Sequence, residues 1–449
     1  MTSGYVPASL EGVPRVILAV VASTFFVGFG GGVVFPILPN LGAVLGISAF
    51  VVGLILSANR WVRLVANAPA GALVDRFGVR KPFVYGLFIE GVATFGYVVA
   101  LVLPDPASVS WVAYALPTVE LGPITLGVEQ WLLVLEGVLA PEAWFLLARI
   151  LWGVGSAAVF ATAYTIAADV SDGGSRGLNM GIVRGGMLLG FPSGMVLGGV
   201  VSSLAGEVVA FGLAALFALI ASGVAFVLVP ETHVTERESR AVKPWDIETS
   251  LPALTVGLVN FGLMFAYFGV LFSTLVLLLA EKSLTSFGLN AQGMSGIFMA
   301  VTVVTAGVAM VVGGRLSDTH ASRVPVLLAF LGSFFVGFLL LARSASIEGL
   351  FVACICIGAG QGGTSGPMMA LLADLMPDDR MGRASGTNNV LGDVGGGLGP
   401  MISLPAIEIF GFPPVYAVSA LIPLIAGAVL LLGVRKETGT FYPGRTASD

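Results

Sequence analysis

GALVDRFGVRKP spans Gly71–Pro82, and GRLSDTHASRVP spans Gly314–Pro325. At an offset of 243, Gly71, Leu73, Asp75, Arg80 and Pro82 match Gly314, Leu316, Asp318, Arg323 and Pro325. A second register, at an offset of 205, sets Gly153, Gly155, Asp169, Gly181, Gly190 and Gly194 on Gly358, Gly360, Asp374, Gly386, Gly395 and Gly399. The chain is a doubled unit, and the two offsets leave 38 extra residues in the first half. Pro104–Pro141 fits them, because it begins and ends with proline and holds no Lys or Arg.

The solvent of this chain is lipid. Of its 449 residues 56% are hydrophobic and only 10% charged, against roughly 25% charged in a soluble domain. Twelve apolar runs are long enough to cross a bilayer as helices. They start near residues 15, 49, 82, 143, 177, 207, 251, 291, 324, 347, 383 and 412. The first is long enough to be a span, so it is not read as a cleavable leader. The fold class is therefore an all-α membrane protein. Its twelve transmembrane helices form two pseudo-symmetric six-helix bundles, residues 1–229 and 251–449, joined by a linker at 230–250. The insertion at about 104–141 is expected to be an external cap and not a pair of spans.

Orientation follows from the 21 Lys and Arg residues. Fifteen fall on one side, among them Arg76, Arg80, Lys81, Arg315, Arg323 and Lys436; only Lys282 and Arg343 fall on the other. The excess of positive charge marks the cytoplasmic side and puts both termini there. The net charge of -5 speaks against a nucleic-acid partner. No metal spacing, nucleophile triad or phosphate-binding loop is found, so neither an enzyme nor a cofactor is expected. His233 and His320 read as inert loop residues, and Cys354 and Cys356 as core thiols.

Four arginines lie inside spans: Arg60, Arg63, Arg149 and Arg184. Arg63 sits about 18 Å along its helix from Asp75. A cation near mid-bilayer costs about 2.5–3.5 kcal/mol even on insertion scales, so these side chains are expected to face the bundle interior. Arg60, Arg63 and Asn67 share one helical stripe. Their counterparts in the second half, Val303 and Ala306, are uncharged, as are Cys354 and Asn389 opposite Arg149 and Arg184. The fold alone does not demand these charges. Two uses remain open, a structural ion-pair cluster or an anion-attracting cavity. Snorkelling to the interface is an alternative for Arg149 and Arg184. The deep carboxylates are Glu90 and Asp393. Each is a candidate proton carrier, with a fixed pair to Arg63 as the alternative for Glu90 and a fixed contact between halves for Asp393. Asn260, Tyr267 and Thr274 form a polar stripe on the seventh span, and Gln361 lies on the tenth; these line a cavity or pack between helices.

On these motifs the chain resembles the major facilitator superfamily. GALVDRFGVRK is similar to that family's loop between helices 2 and 3, at Gly71, Asp75, Arg76, Gly78, Arg80 and Lys81, with Gly314, Asp318 and Arg323 as its second copy. The resemblance implies a latch at Asp75 that opens and closes during transport; the alternative is a charged loop that sets topology. Arg149 resembles the helix 4 arginine motif, which implies a proton relay. Gly181, Gly190, Gly194, Gly198 and Gly199 hold the spacing of the antiporter-type glycine motif, although Met195 stands where its proline belongs. The expected function is a secondary transporter of a small organic solute by alternating access, proton-coupled and exporting, monomeric and multi-pass in the cell membrane. The substrate-contact candidates are Arg60, Arg63, Asn67, Arg149, Arg184, Asn260, Tyr267 and Gln361. A uniporter or an importer of organic anions is the alternative within that class. A transport-inactive receptor or scaffold is the rival class and would call for a soluble signalling domain.

Overall fold

A computed structural model describes residues 15–104, 111–115, 117–121, 124–170, 176–231 and 247–444. Among the described residues twelve helices are long and apolar enough to cross a membrane, and each begins within a few residues of the position its apolar run predicts. In the first half they are α1 (Arg15–Val44), α2 (Ala49–Phe77), α3 (Arg80–Val102), α6 (Pro141–Asp169), α7 (Arg176–Ala205) and α8 (Glu207–Leu228). In the second half the first span is α9 (Leu251–Met264), a π-helical stretch Phe265–Phe272 and α10 (Ser273–Glu281) in series. Then follow α11 (Ala291–Thr319), α12 (Val324–Arg343), α13 (Ile347–Leu375), α14 (Asp378–Phe410), and α15 (Phe412–Ser419) running into α16 (Leu421–Thr438). Ser48, Asn290 and Ser346 cap α2, α11 and α13 by accepting from Val51, Gly293 and Gly349 backbone N–H groups. Each cap satisfies a donor that a helix start leaves open.

The insertion departs from the all-helical expectation. It holds α4 (Trp111–Ala115), a short antiparallel hairpin of β1 (Val119–Leu121) and β2 (Ile124–Leu126), and α5 (Val128–Leu139). Twelve residues of helix cover about 18 Å, too short to span. Two indoles tie the segment down: Trp131 donates to the Pro117 carbonyl at 2.9 Å and Trp144 to that of Val138 at 2.7 Å. A cysteine placed at Glu120 in the hairpin should react with an impermeant maleimide added outside intact cells. Reaction only after the cytoplasmic side is opened would refute the external cap.

Two positions in the repeated loop have physical reasons. Gly78 ends α2 at φ 77°, in the left-handed region that side chains avoid. In the second copy Arg323 makes a fork to Asp374, with distances of 2.5 and 3.2 Å, and donates to Asp318 at 3.0 Å. These three residues are the repeat partners of Arg80, Asp169 and Asp75. Arg80 itself donates to the Phe226 carbonyl. The side chains of Gly71 and Asp75 lie outside the described residues, as do Arg237, Arg240, Lys243 and His233 of the linker. The latch at Asp75 therefore stays an expectation.

The bundles meet along α2–α14, α7–α11 and α1–α10. At one end Gln292 donates to Glu207 at 2.9 Å and the Asn290 N–H donates to Ser203 at 3.0 Å. Further in, Phe35 of α1 meets Phe272 of the second half at 5.8 Å. Gly53 lies against Pro400, and Gly199 against Gln292. Past the level of Arg63, toward the end that carries Gly78 and Arg323, Asn67, Arg184 and Asn389 are exposed. The Gln292 and Asn290 contacts gather at the Glu207 end, and the other end, where these three side chains are exposed, is read as the open one. Gly190, Gly194 and Gly198 face α1 so closely that a Cβ on any of them would meet the backbone of Phe25, Phe29 or Val33. Close helix contact in lipid explains those three glycines.

A charged seam between the bundles

Arg60 and Arg63 both reach across the seam to one atom. Asp393 Oδ1 accepts from Arg60 Nη1 at 3.2 Å and from Arg63 Nη2 at 2.6 Å. Two members of the stripe read from the sequence, Arg60 and Arg63, point at α14 of the other half. Side-chain exposures of 13%, 22% and 16% for Arg60, Arg63 and Asp393 leave the trio reachable from the open end. The Arg60 guanidinium lies 4.2 Å over the Phe268 ring, and that of Arg63 lies 5.7 Å from the ring of Phe160. Both distances fall within cation–π range. Two cations on one carboxylate leave the trio with a net positive charge.

Glycines make this contact possible. A Cβ on Gly396 would stand 3.0 Å from Arg60 Cζ, and one on Gly397 would stand 3.0 Å from Trp61 Cε2. Gly396 and Gly397 are thus the seat of Arg60 and Trp61. Gly397→Val should overpack that seat and lower stability by about 1–3 kcal/mol. An unchanged thermal unfolding midpoint in detergent would contradict the seating of Trp61.

The pairing of Arg63 with Glu90 is corrected. Glu90 lies on α3, turned toward Gly155 of α6, while α2 presents its arginines to α14. Glu90 is 1% exposed, and neither carboxyl oxygen has a hydrogen-bond partner among the described residues. The snorkelling alternative for Arg149 is corrected too. Arg149 is 1% exposed and donates to the Ile55 and Leu56 carbonyls and to Asn59 Oδ1, at 3.3, 3.0 and 2.7 Å. It ties α6 to α2 inside the first bundle, beside Trp152. These three acceptors hold the side chain inside the bundle.

The second-half stripe is internal packing. Asn260 donates to the Asn388 carbonyl at 2.9 Å, Thr274 and Tyr416 share a hydrogen bond at 2.8 Å, and Tyr267 is buried against Phe268 and Phe272. Gln361 is buried, with its Nε2 facing Met264. Arg184 and Asn67 are exposed, and no hydrogen bond or ion pair joins them to the trio among the described residues. Sequence reading missed Phe160, Trp61, Phe268 and the π-helix. The π segment follows from a close crossing: Gly269 lies against Gly399, and its carbonyl accepts from both Ser273 and Ser403. Such widened turns concentrate at functional sites. The usable signals were the DVGGG run after Asn389 and the serines at 273 and 403.

Two six-helix bundles, joined at one end and meeting at a charged seam, define a helical membrane transporter. The chain belongs to the Major Facilitator Superfamily, whose sequence model matches residues 20–400 and, a second time, 263–447. It is a multi-pass integral membrane protein. It is 22% identical over 418 residues to an uncharacterised MFS-type transporter of Methanocaldococcus jannaschii, covering 92% of this chain and 97% of that one. It is also 22% identical over 400 residues to Multidrug resistance protein 2 of Bacillus subtilis, covering 86% and 88%. Among solved structures it is similar to a bacterial homolog of the human lysosomal transporter Spinster in an inward-facing, occupied conformation. There the TM-score is 0.72 at 14% identity, over 96% of this chain and 98% of that one. The human organic anion transporter MFSD10 (TETRAN) aligns with a TM-score of 0.58 at 17% identity, over 92% and 98%.

Proposed function

We propose that this protein moves a small organic solute across the cell membrane by alternating access and couples that movement to protons through Asp393. The observation that carries the reading is the single carboxylate oxygen holding two arginines of the opposite bundle. For the closed and open ends to exchange, contacts across the seam must change. A buried or half-buried ion pair is stable only while both partners are charged. Protonation of Asp393, or a solute that takes over the arginines, releases the bridge. With the positive-inside orientation, the open end faces the cytoplasm. Glu90 remains a second candidate proton carrier, being a buried carboxyl without a hydrogen-bond partner among the described residues.

The direction of net flow depends on how solute and proton interact. The glycine spacing of α7 and the likeness to a multidrug resistance protein support export in exchange for protons, which needs the two to compete. The shared oxygen of Asp393 supports a second reading, uptake of an organic anion together with a proton. Of the two, the site geometry favours the second. Purified protein in liposomes carrying an internal pH dye, screened with radiolabelled solutes under an imposed pH gradient, tests the function. No gradient-driven solute movement across a broad panel would sink it.

A further inference from the structure

We propose that Arg60 and Arg63 receive the anionic head of an amphiphilic solute and that this solute and a proton bind together. The inference rests on the transport reading above and takes it to a substrate class and a sign of coupling. Three observations lead to the anion. The trio carries two cations and one carboxylate, so a further cation is repelled there. A guanidinium offers five N–H donors in a planar fork, and each of these two makes a single hydrogen bond among the described residues. The unused donors suit a carboxylate, sulfonate or phosphate held through two parallel bonds. The walls beside the arginines are aromatic: Phe268 and Phe160, with Phe191 6.1 Å from Phe268 and Phe35 behind it at 5.9 Å from Phe191. A polar head on the arginines and a flat apolar body on these rings match that layout.

The sign of coupling follows from the shared oxygen. Solute anion and Asp393 carboxylate compete for the same donors. A solute that takes them leaves Asp393 as an unpaired negative charge next to another negative charge. Taking a proton from water at the open end relieves both. The charges that face Asp393 from its neighbours are cationic: Arg60 and Arg63 of α2, with Arg149 of α6 within electrostatic reach of Arg60. The α9 and π segments carry no charged residue, and Tyr267 there is buried against Phe272. The acids of α13, Glu348 and Asp374, and that of α10, Glu281, lie at helix ends. Binding linkage is reciprocal, so the anion that promotes proton binding is itself bound more tightly when Asp393 is protonated. Proton and anion travel together.

Full-length protein and three probes of one shape test this: radiolabelled 2-naphthoate, 2-naphthamide and 2-naphthylmethylammonium. Binding by scintillation proximity should rank naphthoate first. In weakly buffered solution it should be accompanied by proton uptake, read with a pH dye. From about pH 7.5 to about pH 5.5 naphthoate affinity should rise, by at most about tenfold per pH unit for one linked proton. Arg63→Lys should weaken naphthoate at least about tenfold and leave the amide nearly unchanged, because an ammonium cannot reproduce the fork. Asp393→Asn should bind naphthoate without taking up a proton; should that variant fold poorly, proton uptake by the wild type still decides. Proton release, pH-independent affinity, preference for the ammonium, or no naphthoate binding would each overturn the inference. Counterflow in liposomes keeps the two readings apart. Ammonium crossing while naphthoate does not refutes the anion and leaves the transporter. Naphthoate binding with proton uptake but no crossing supports the anion site and refutes transport.

Discussion

Asp393→Asn should end proton-driven accumulation of solute while solute-for-solute exchange continues. The substitution keeps the size of the side chain and an oxygen that can still accept a hydrogen bond. It removes the charge that balances two guanidinium groups and the site at which a proton is taken up. Accumulation driven by a pH gradient should therefore fall to the level reached without one. Exchange across the membrane needs the solute site and the conformational change, both of which survive. The measurement is paired: pH-gradient-driven uptake and counterflow in the same liposomes. Intact driven uptake would remove Asp393 from coupling and move the role to Glu90.

The second large effect separates the two carboxylates by double-mutant cycles. Arg63→Ala alone leaves Asp393 with one donor and should lower the unfolding midpoint. Combined with Asp393→Asn it should recover part of that loss, with a coupling of about 1.5–3 kcal/mol. Combined with Glu90→Gln it should simply add, to within about 0.5 kcal/mol, because Arg63 pairs with Asp393 and no hydrogen bond or ion pair joins it to Glu90 among the described residues. A large coupling to Glu90 and none to Asp393 would mean that the seam described here is not the pairing in the membrane. The cycle reads stability and not transport, so it tests the geometry independently of any solute.

Much of this molecule was legible before any fold was seen. A helix in lipid must be apolar along its whole length and must close its own hydrogen bonds, so twelve spans and their starts are written in runs of residues. The doubling is written in the paired loops, and the insertion in the difference between two offsets. The stripe Arg60–Arg63–Asn67 announced a face, since helix geometry fixes which residues share a side. What the face met was not legible. Glu90, in the same half, was the pair to Arg63 that the sequence suggested, because sequence says nothing about which helices adjoin. Only the packing of α2 on α14, seated by Gly396 and Gly397, chose Asp393. Only the packing of α3 on α6 left Glu90 without a hydrogen-bond partner among the described residues. The inward turn of Arg149 and the widening at Phe265–Phe272 were likewise settled by neighbours, through the Ile55 and Leu56 carbonyls and the Gly269–Gly399 crossing. Periodicity along one chain determines what a helix offers; contact with another helix, more than 300 residues away in the case of Arg63 and Asp393, decides what accepts it.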